Sequence, residues 1–167
     1  MTAPARRRLL AVLAGGALGA GWAPLQAAPA APGEAVAWPR VKLLDGSDWG
    51  PAQTQGKAVV AVFWSITCPF CMRHNAHLEA LRQASAGRPL VLIGSVHEND
   101  PPAVRALMAR RGWRFDVTTD HAPMAAALSL RRLTPLTISV DREGRLKQVI
   151  PGEMSADDMR GLLALAG

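Results

Sequence analysis

Ala58-Val59-Val60-Ala61-Val62-Phe63-Trp64-Ser65-Ile66-Thr67-Cys68-Pro69-Phe70-Cys71 is the stretch on which the reading of this chain turns. Its first seven residues are apolar without a break, lacking the alternation of a strand with one wet face. Such a run fits a strand buried on both faces of a mainly parallel sheet. From Pro69 to Ala86, Met72, Ala76, Leu78 and Leu81 recur at near-helical spacing, and Gly87 supplies a stop. A strand, a turn and a helix therefore carry the chain's only two cysteines, spaced Cys-x-x-Cys where the helix begins.

That placement points to redox chemistry. A cysteine at a helix N-terminus meets free backbone N–H groups and the positive end of the helix dipole, which stabilise a thiolate and lower its pKa. Cys68 is the expected nucleophile, and Cys71, one turn on and shielded by the helix, the thiol that resolves a mixed disulfide. A static Cys68–Cys71 clip is the plainer alternative, but so short a loop gains little from closure. A metal site is the more serious rival, because Cys68, Cys71, His74 and His77 recur every three residues. Positions at that spacing drift about 60° per step, so the four do not converge on one ion without distortion. An ordinary polar helix face is the preferred reading of His74 and His77, and no metal is expected.

Outward from this unit the pattern alternates. Leu90–Val96 reads as a second buried strand, followed by a helix that Pro101-Pro102 opens and Gly112 closes. Phe115–Thr118 reads as a short extended piece and Pro123–Leu130 as a short helix. Leu136–Val140 and Leu146–Ile150 make a hairpin around Asp141-Arg142-Glu143-Gly144, and Ser155 caps a last helix ending near Ala166. Upstream, Val36–Trp49 suggests a small hairpin turning at Asp45-Gly46. The expected fold class is α/β, a mixed central sheet with helices on both faces behind an N-terminal β-hairpin.

The 167 residues are 49% apolar and 19% charged, which suits one packed domain. The formal charge of +6 includes Arg6, Arg7 and Arg8; without them about +3 remains, spread with no aromatic-interleaved basic stripe, so nucleic acid is not an expected partner. Residues 1–30 read as an export signal: the three arginines, an apolar stretch from Leu9 to Trp22, then small residues including Ala28-Pro29-Ala30. Gly15, Gly16, Gly19 and Gly21 dilute that stretch, which favours cleavage over a retained membrane anchor. General secretion is the first reading, although Arg6-Arg7-Arg8-Leu9-Leu10 also resembles a relaxed twin-arginine motif. Residues 31–35 are expected as a linker and 36–167 as the domain.

The stretch Phe63 to Cys71 resembles the Phe-Trp-Ala-x-x-Cys-x-x-Cys signature of the thioredoxin superfamily, and most closely its exported TlpA/ResA-like branch. The likeness continues in order through Val91–Glu98, Thr118-Thr119-Asp120, Leu133-Thr134-Pro135-Leu136-Thr137 and Val140–Gly144. It implies a thioredoxin-like fold and a periplasmic thiol–disulfide oxidoreductase whose only redox centre is the Cys68–Cys71 pair. By the resemblance Pro135 is a cis-proline facing the cysteines, Thr134 offers backbone groups to a client segment, Trp64 packs beside the site, and Pro69-Phe70 tunes the redox potential. The implied work is that of a monomeric reductase acting on thiols or disulfides of exported proteins, such as apocytochrome c or metal-site thiols. Electrons would come from a membrane donor of the DsbD/CcdA type. A DsbA-like oxidase and, from another class, a copper-binding chaperone are the alternatives.

Two departures bear on mechanism. Val62 stands where thioredoxins carry a buried acid, and His74 where ResA-like members carry a glutamate. The expectation is that His74 or water substitutes for the absent carboxylate, since a charged imidazole would favour the Cys68 thiolate.

Overall fold

The computed structural model describes residues 30–128, 130 and 133–167; the expected export signal lies outside them except for Ala30. All seven residues of Ala58–Trp64 are buried, and as β3 they form the middle of a five-stranded sheet. In chain order the elements are β1 (Val41–Lys42), β2 (Asp48–Trp49), α1 (Pro51–Thr54), β3, α2 (Pro69–Ala84), β4 (Leu90–Val96), α3 (Pro101–Arg111), β5 (Asp116–Thr118), α4 (His121–Ala127), β6 (Leu136–Val140), β7 (Leu146–Pro151) and α5 (Ala156–Gly161), which runs on as a 3-10 helix over Leu162–Ala166.

The sheet order is β5-β4-β3-β6-β7. β3 runs parallel to β4, with Trp64 opposite Val96, and antiparallel to β6, with Phe63 opposite Leu136. Its apolar run needs no alternation because both faces are covered. Val60, Val62 and Trp64 face a core built with Leu78 of α2, Val104 of α3 and Met159 of α5. Val59, Ala61 and Phe63 face Met124 of α4 and the tryptophans Trp38 and Trp49 around the β1–β2 hairpin. Each fully buried Val, Leu, Phe or Met side chain among these contributes roughly 1.5–3 kcal/mol. Among the described residues, no helix is long and apolar enough to cross a membrane.

Local signals set most boundaries. Asp100 caps α3 by accepting the Ala103 N–H at 3.0 Å, and Gly112 ends it in the left-handed region at φ 69°. Ser155 caps α5 through the Asp158 N–H at 3.1 Å. Three places differ from the sequence reading. α4 begins at His121 rather than Pro123, because a proline is tolerated within a first turn whose N–H groups have no helical partner. The single turn α1 has no counterpart in the periodicity. Residues 31–35, expected as a linker, instead lie against the start of β7: Ala35 bridges Arg145, and the Gly33 N–H donates to the Leu146 carbonyl at 2.7 Å. An Ala/Pro-rich stretch cannot pack a core, but its backbone is free to pair with a neighbouring strand.

Candidate active site

The site lies at the end of β3, where the chain turns into α2. Cys68 is the N-cap of α2, with extended backbone at φ −89° and ψ 112°, and Pro69 opens the first turn. Proline suits that position because its missing N–H would have had no helical partner. Cys68 and Cys71 form a disulfide with a Cα–Cα distance of 5.2 Å. The Cys71 N–H points at Cys68 Sγ from 3.2 Å, and the first turn of α2 carries no acidic residue. A thiolate at Cys68 therefore meets a backbone donor and the helix dipole with no nearby helical carboxylate opposing it.

The two sulfurs differ in access: Cys68 is partly exposed, whereas Cys71 is 0% exposed. Facing Cys68 is the loop before β6, whose Thr134–Pro135 peptide bond is cis. The Thr134 carbonyl oxygen lies 4.0 Å from Cys68 Sγ, and Pro135 is buried. Trp64 is fully buried and meets Trp113 edge-on, with ring centroids 6.0 Å apart. Of the large apolar side chains exposed among the described residues, Phe70 lies between the cysteines and Leu133 just before Thr134, while Val149 sits on β7. Arg73 lies 5.1 Å over the Phe70 ring and grips Glu153 through two hydrogen bonds of 2.8 and 2.6 Å.

His74 is 0% exposed and both of its ring nitrogens are engaged. Nδ1 accepts the Met154 N–H at 3.1 Å, so the ring proton sits on Nε2 and is donated to Thr137 Oγ1 at 3.0 Å. Burial, reinforced by the neighbouring His77, pulls the His74 pKa down to about 4, against a smaller opposing pull from Glu153. The ring is thus neutral at physiological pH, and His74 is a buried residue rather than part of the ordinary polar helix face expected of it; desolvation outweighs the pull of Glu153, so a charged imidazole does not replace the absent carboxylate. His77 Nδ1 pairs with the Met154 carbonyl at 3.0 Å. The two histidines therefore diverge onto one backbone segment rather than joining the cysteines, and no group of three or more His, Cys, Asp or Glu is placed to hold a metal ion among the described residues.

Sequence reasoning gave no role to Glu98. Its carboxylate accepts from Ser65 Oγ and from the Ile66 N–H at 3.1 Å, bracing the loop that delivers Cys68. The available signal was its position: an acid just after the second buried strand, at the sheet end where the first strand enters the cysteine loop.

The Redoxin family model matches residues 31–163. Among curated relatives, thiol-disulfide oxidoreductase ResA of Halalkalibacterium halodurans is 29% identical over 114 residues, covering 67% of this chain and 64% of that protein. The soluble secreted antigen MPT53 of Mycobacterium tuberculosis is 32% identical over 78 residues, covering 46% of this chain and 43% of that protein. The chain thus spans less than two thirds of the length of these relatives. Among solved structures, a thioredoxin-family thiol:disulfide interchange protein from Chlorobium tepidum superposes with a TM-score of 0.73 at 22% identity, covering 83% of this chain and 99% of that one. A secreted Mycobacterium tuberculosis disulfide oxidoreductase homologous to Escherichia coli DsbE gives 0.65 at 22% identity, covering 75% and 93%. These likenesses establish the thioredoxin-like fold, and with a family model matched across most of its length the chain belongs to the Redoxin family.

Proposed function

We propose that this protein is a thiol–disulfide oxidoreductase of the ResA/DsbE type, in which Cys68 attacks and Cys71 resolves. The observation that carries the reading is the disulfide at the start of α2: its outer sulfur is partly exposed beside the Thr134 carbonyl, and its inner sulfur is sealed. In the reducing direction the Cys68 thiolate attacks one sulfur of a client disulfide. The mixed disulfide forms as the first client thiolate leaves, and Cys71 then displaces the second. Exposed Phe70 and Leu133 suit a client segment with apolar side chains, and the backbone around Thr134 offers it hydrogen-bonding groups.

The finer reading is a periplasmic monomer, exported by its N-terminal segment, that reduces disulfides in exported proteins such as apocytochrome c or metal-site thiols. A membrane donor of the DsbD/CcdA type would recharge it. Secreted relatives and the TlpA/ResA-like pattern support that reading. Pro69, Phe70, Thr134, Pro135 and Trp64 would tune and frame the disulfide, with neutral His74 holding α2 against Thr137 and Met154.

Insulin reduction in the presence of dithiothreitol tests the activity, with catalysis expected from the natural sequence and none from Cys68→Ser. Equilibration with glutathione gives the potential and so the direction: a value near thioredoxin's supports the reductase, and one near that of DsbA would turn the assignment to an oxidase. A disulfide that fails to open under dithiothreitol in the folded protein would leave only the static clip.

A further inference from the structure

One buried group on α2 has its hydrogen-bonding capacity unspent. Asn75 is 0% exposed, and neither its amide nitrogen nor its carbonyl oxygen has a partner among the described residues. Folded proteins keep few such groups, because an unpaired buried amide loses its water without compensation. A leucine of similar size would fill the place without that cost.

The position of Asn75 points to what the amide serves. It follows Cys71 by four residues, so the two share a face of α2, and helical side chains lean over the turn before them. The amide thereby leans over the turn that carries Cys71, without a hydrogen bond to the disulfide-bonded sulfur. His74 is three residues from Cys71, but both of its nitrogens are taken. The other unpartnered groups on this face of the sheet are placed elsewhere. Trp64 Nε1 lies over β4, where a Cβ added to Gly94 would come within 2.7 Å of it. Ser139 Oγ belongs to β6 opposite Val60, two residues beyond Thr137 and away from the cysteine end.

Opening the disulfide creates the partner that the amide lacks. Cys71 becomes a buried thiol that must ionise to attack, and apolar burial disfavours the thiolate unless an N–H donates to it. We propose that Asn75 is the hydrogen-bond donor to the Cys71 sulfur in the dithiol and mixed-disulfide states, and so sets how readily Cys71 resolves. The inference rests on the dithiol–disulfide cycling proposed above. In the resolving step Cys71 gives up its proton and its thiolate attacks the Cys68 sulfur. The Cys68–client bond breaks as the Cys68–Cys71 bond forms, and the departing client sulfur takes the electron pair and then the proton. Overall two electrons pass from the cysteine pair to the client disulfide. Asn75 neither gains nor loses a proton.

The test follows the reaction of the reduced, full-length protein with the aromatic disulfide DTNB. Release of the first thionitrobenzoate reports attack by Cys68, and release of the second reports resolution by Cys71. In Asn75→Leu and Asn75→Ala the second release should slow about tenfold at pH 7 and its pH midpoint rise by about one unit, while the first release keeps its pH profile. In the ¹⁵N-labelled natural sequence, the Asn75 side-chain N–H resonances should move when the disulfide is reduced, a readout that stands even where a variant does not fold. Unchanged second-phase profiles, or side-chain resonances that stay put on reduction, would overturn the inference. Absence of any second release from the natural sequence would instead strike the cycling itself.

Discussion

Cys68 and Cys71 are joined by a bond and separated by one helical turn, yet their surroundings share little. Cys68 caps the helix, partly exposed, beside the Thr134 carbonyl and behind a loop braced by Glu98. Cys71 is sealed, with Leu78 below it and a polar seam of His74, Asn75 and Thr137 on neighbouring positions. One sulfur is accessible to a client and the other only to its partner. On the function proposed above, the contrast is the reason to give attack to Cys68 and resolution to Cys71, because a client disulfide cannot reach a fully buried sulfur.

Breaking the contrast outright should have the largest effect. Cys68→Ser should bring insulin reduction down to the rate without protein, whereas Cys71→Ser should still react with clients and hold them as mixed disulfides that survive non-reducing electrophoresis. Variants in which Cys71→Ser fails to accumulate such adducts, while Cys68→Ser does, would reverse the assignment.

The sealed side should show itself in the pH dependence of stability. His74 titrates at about 4 in the folded protein against 6.5 when free, so the unfolded chain takes up a proton first as the pH falls. Stability is then complete above pH 6.5 and declines toward pH 4, by about 3 kcal/mol over that window. Urea unfolding of the natural sequence and of His74→Gln at pH 7 and pH 4 checks this; equal slopes against pH in the two proteins would contradict the assigned burial. On the open side, Glu98→Ala strands the Ile66 N–H and should lower unfolding free energy by about 1–3 kcal/mol. Insulin reduction should fall with it as the cysteine loop loosens. The smallest effect belongs to the rim: Arg73→Ala removes an exposed ion pair with Glu153 and should leave the urea midpoint unchanged within error.

The open side was the more legible from sequence. The apolar run of β3, Pro69 after Cys68 and the Cys-x-x-Cys spacing are local signals, and each produced the element it announced. The sealed side depends on contacts between distant parts of the chain. Met154 is 80 residues from His74 and Thr137 is 63, so nothing along α2 revealed that both imidazole nitrogens were committed. For the same reason the spacing of His74 and His77 raised a metal reading that their actual partners do not support. Residues 31–35 were illegible in another way, since a backbone pairing with β7 leaves no mark on side-chain composition.

The pH dependence of alkylation in the reduced protein, followed residue by residue by mass spectrometry, tests the division of labour between the two cysteines. Cys68 should react first, with an apparent pKa clearly below the roughly 8.5 of a free cysteine, while Cys71 stays protected. Modification of Cys71 ahead of Cys68, or a Cys68 titration at or above the free value, would contradict that division.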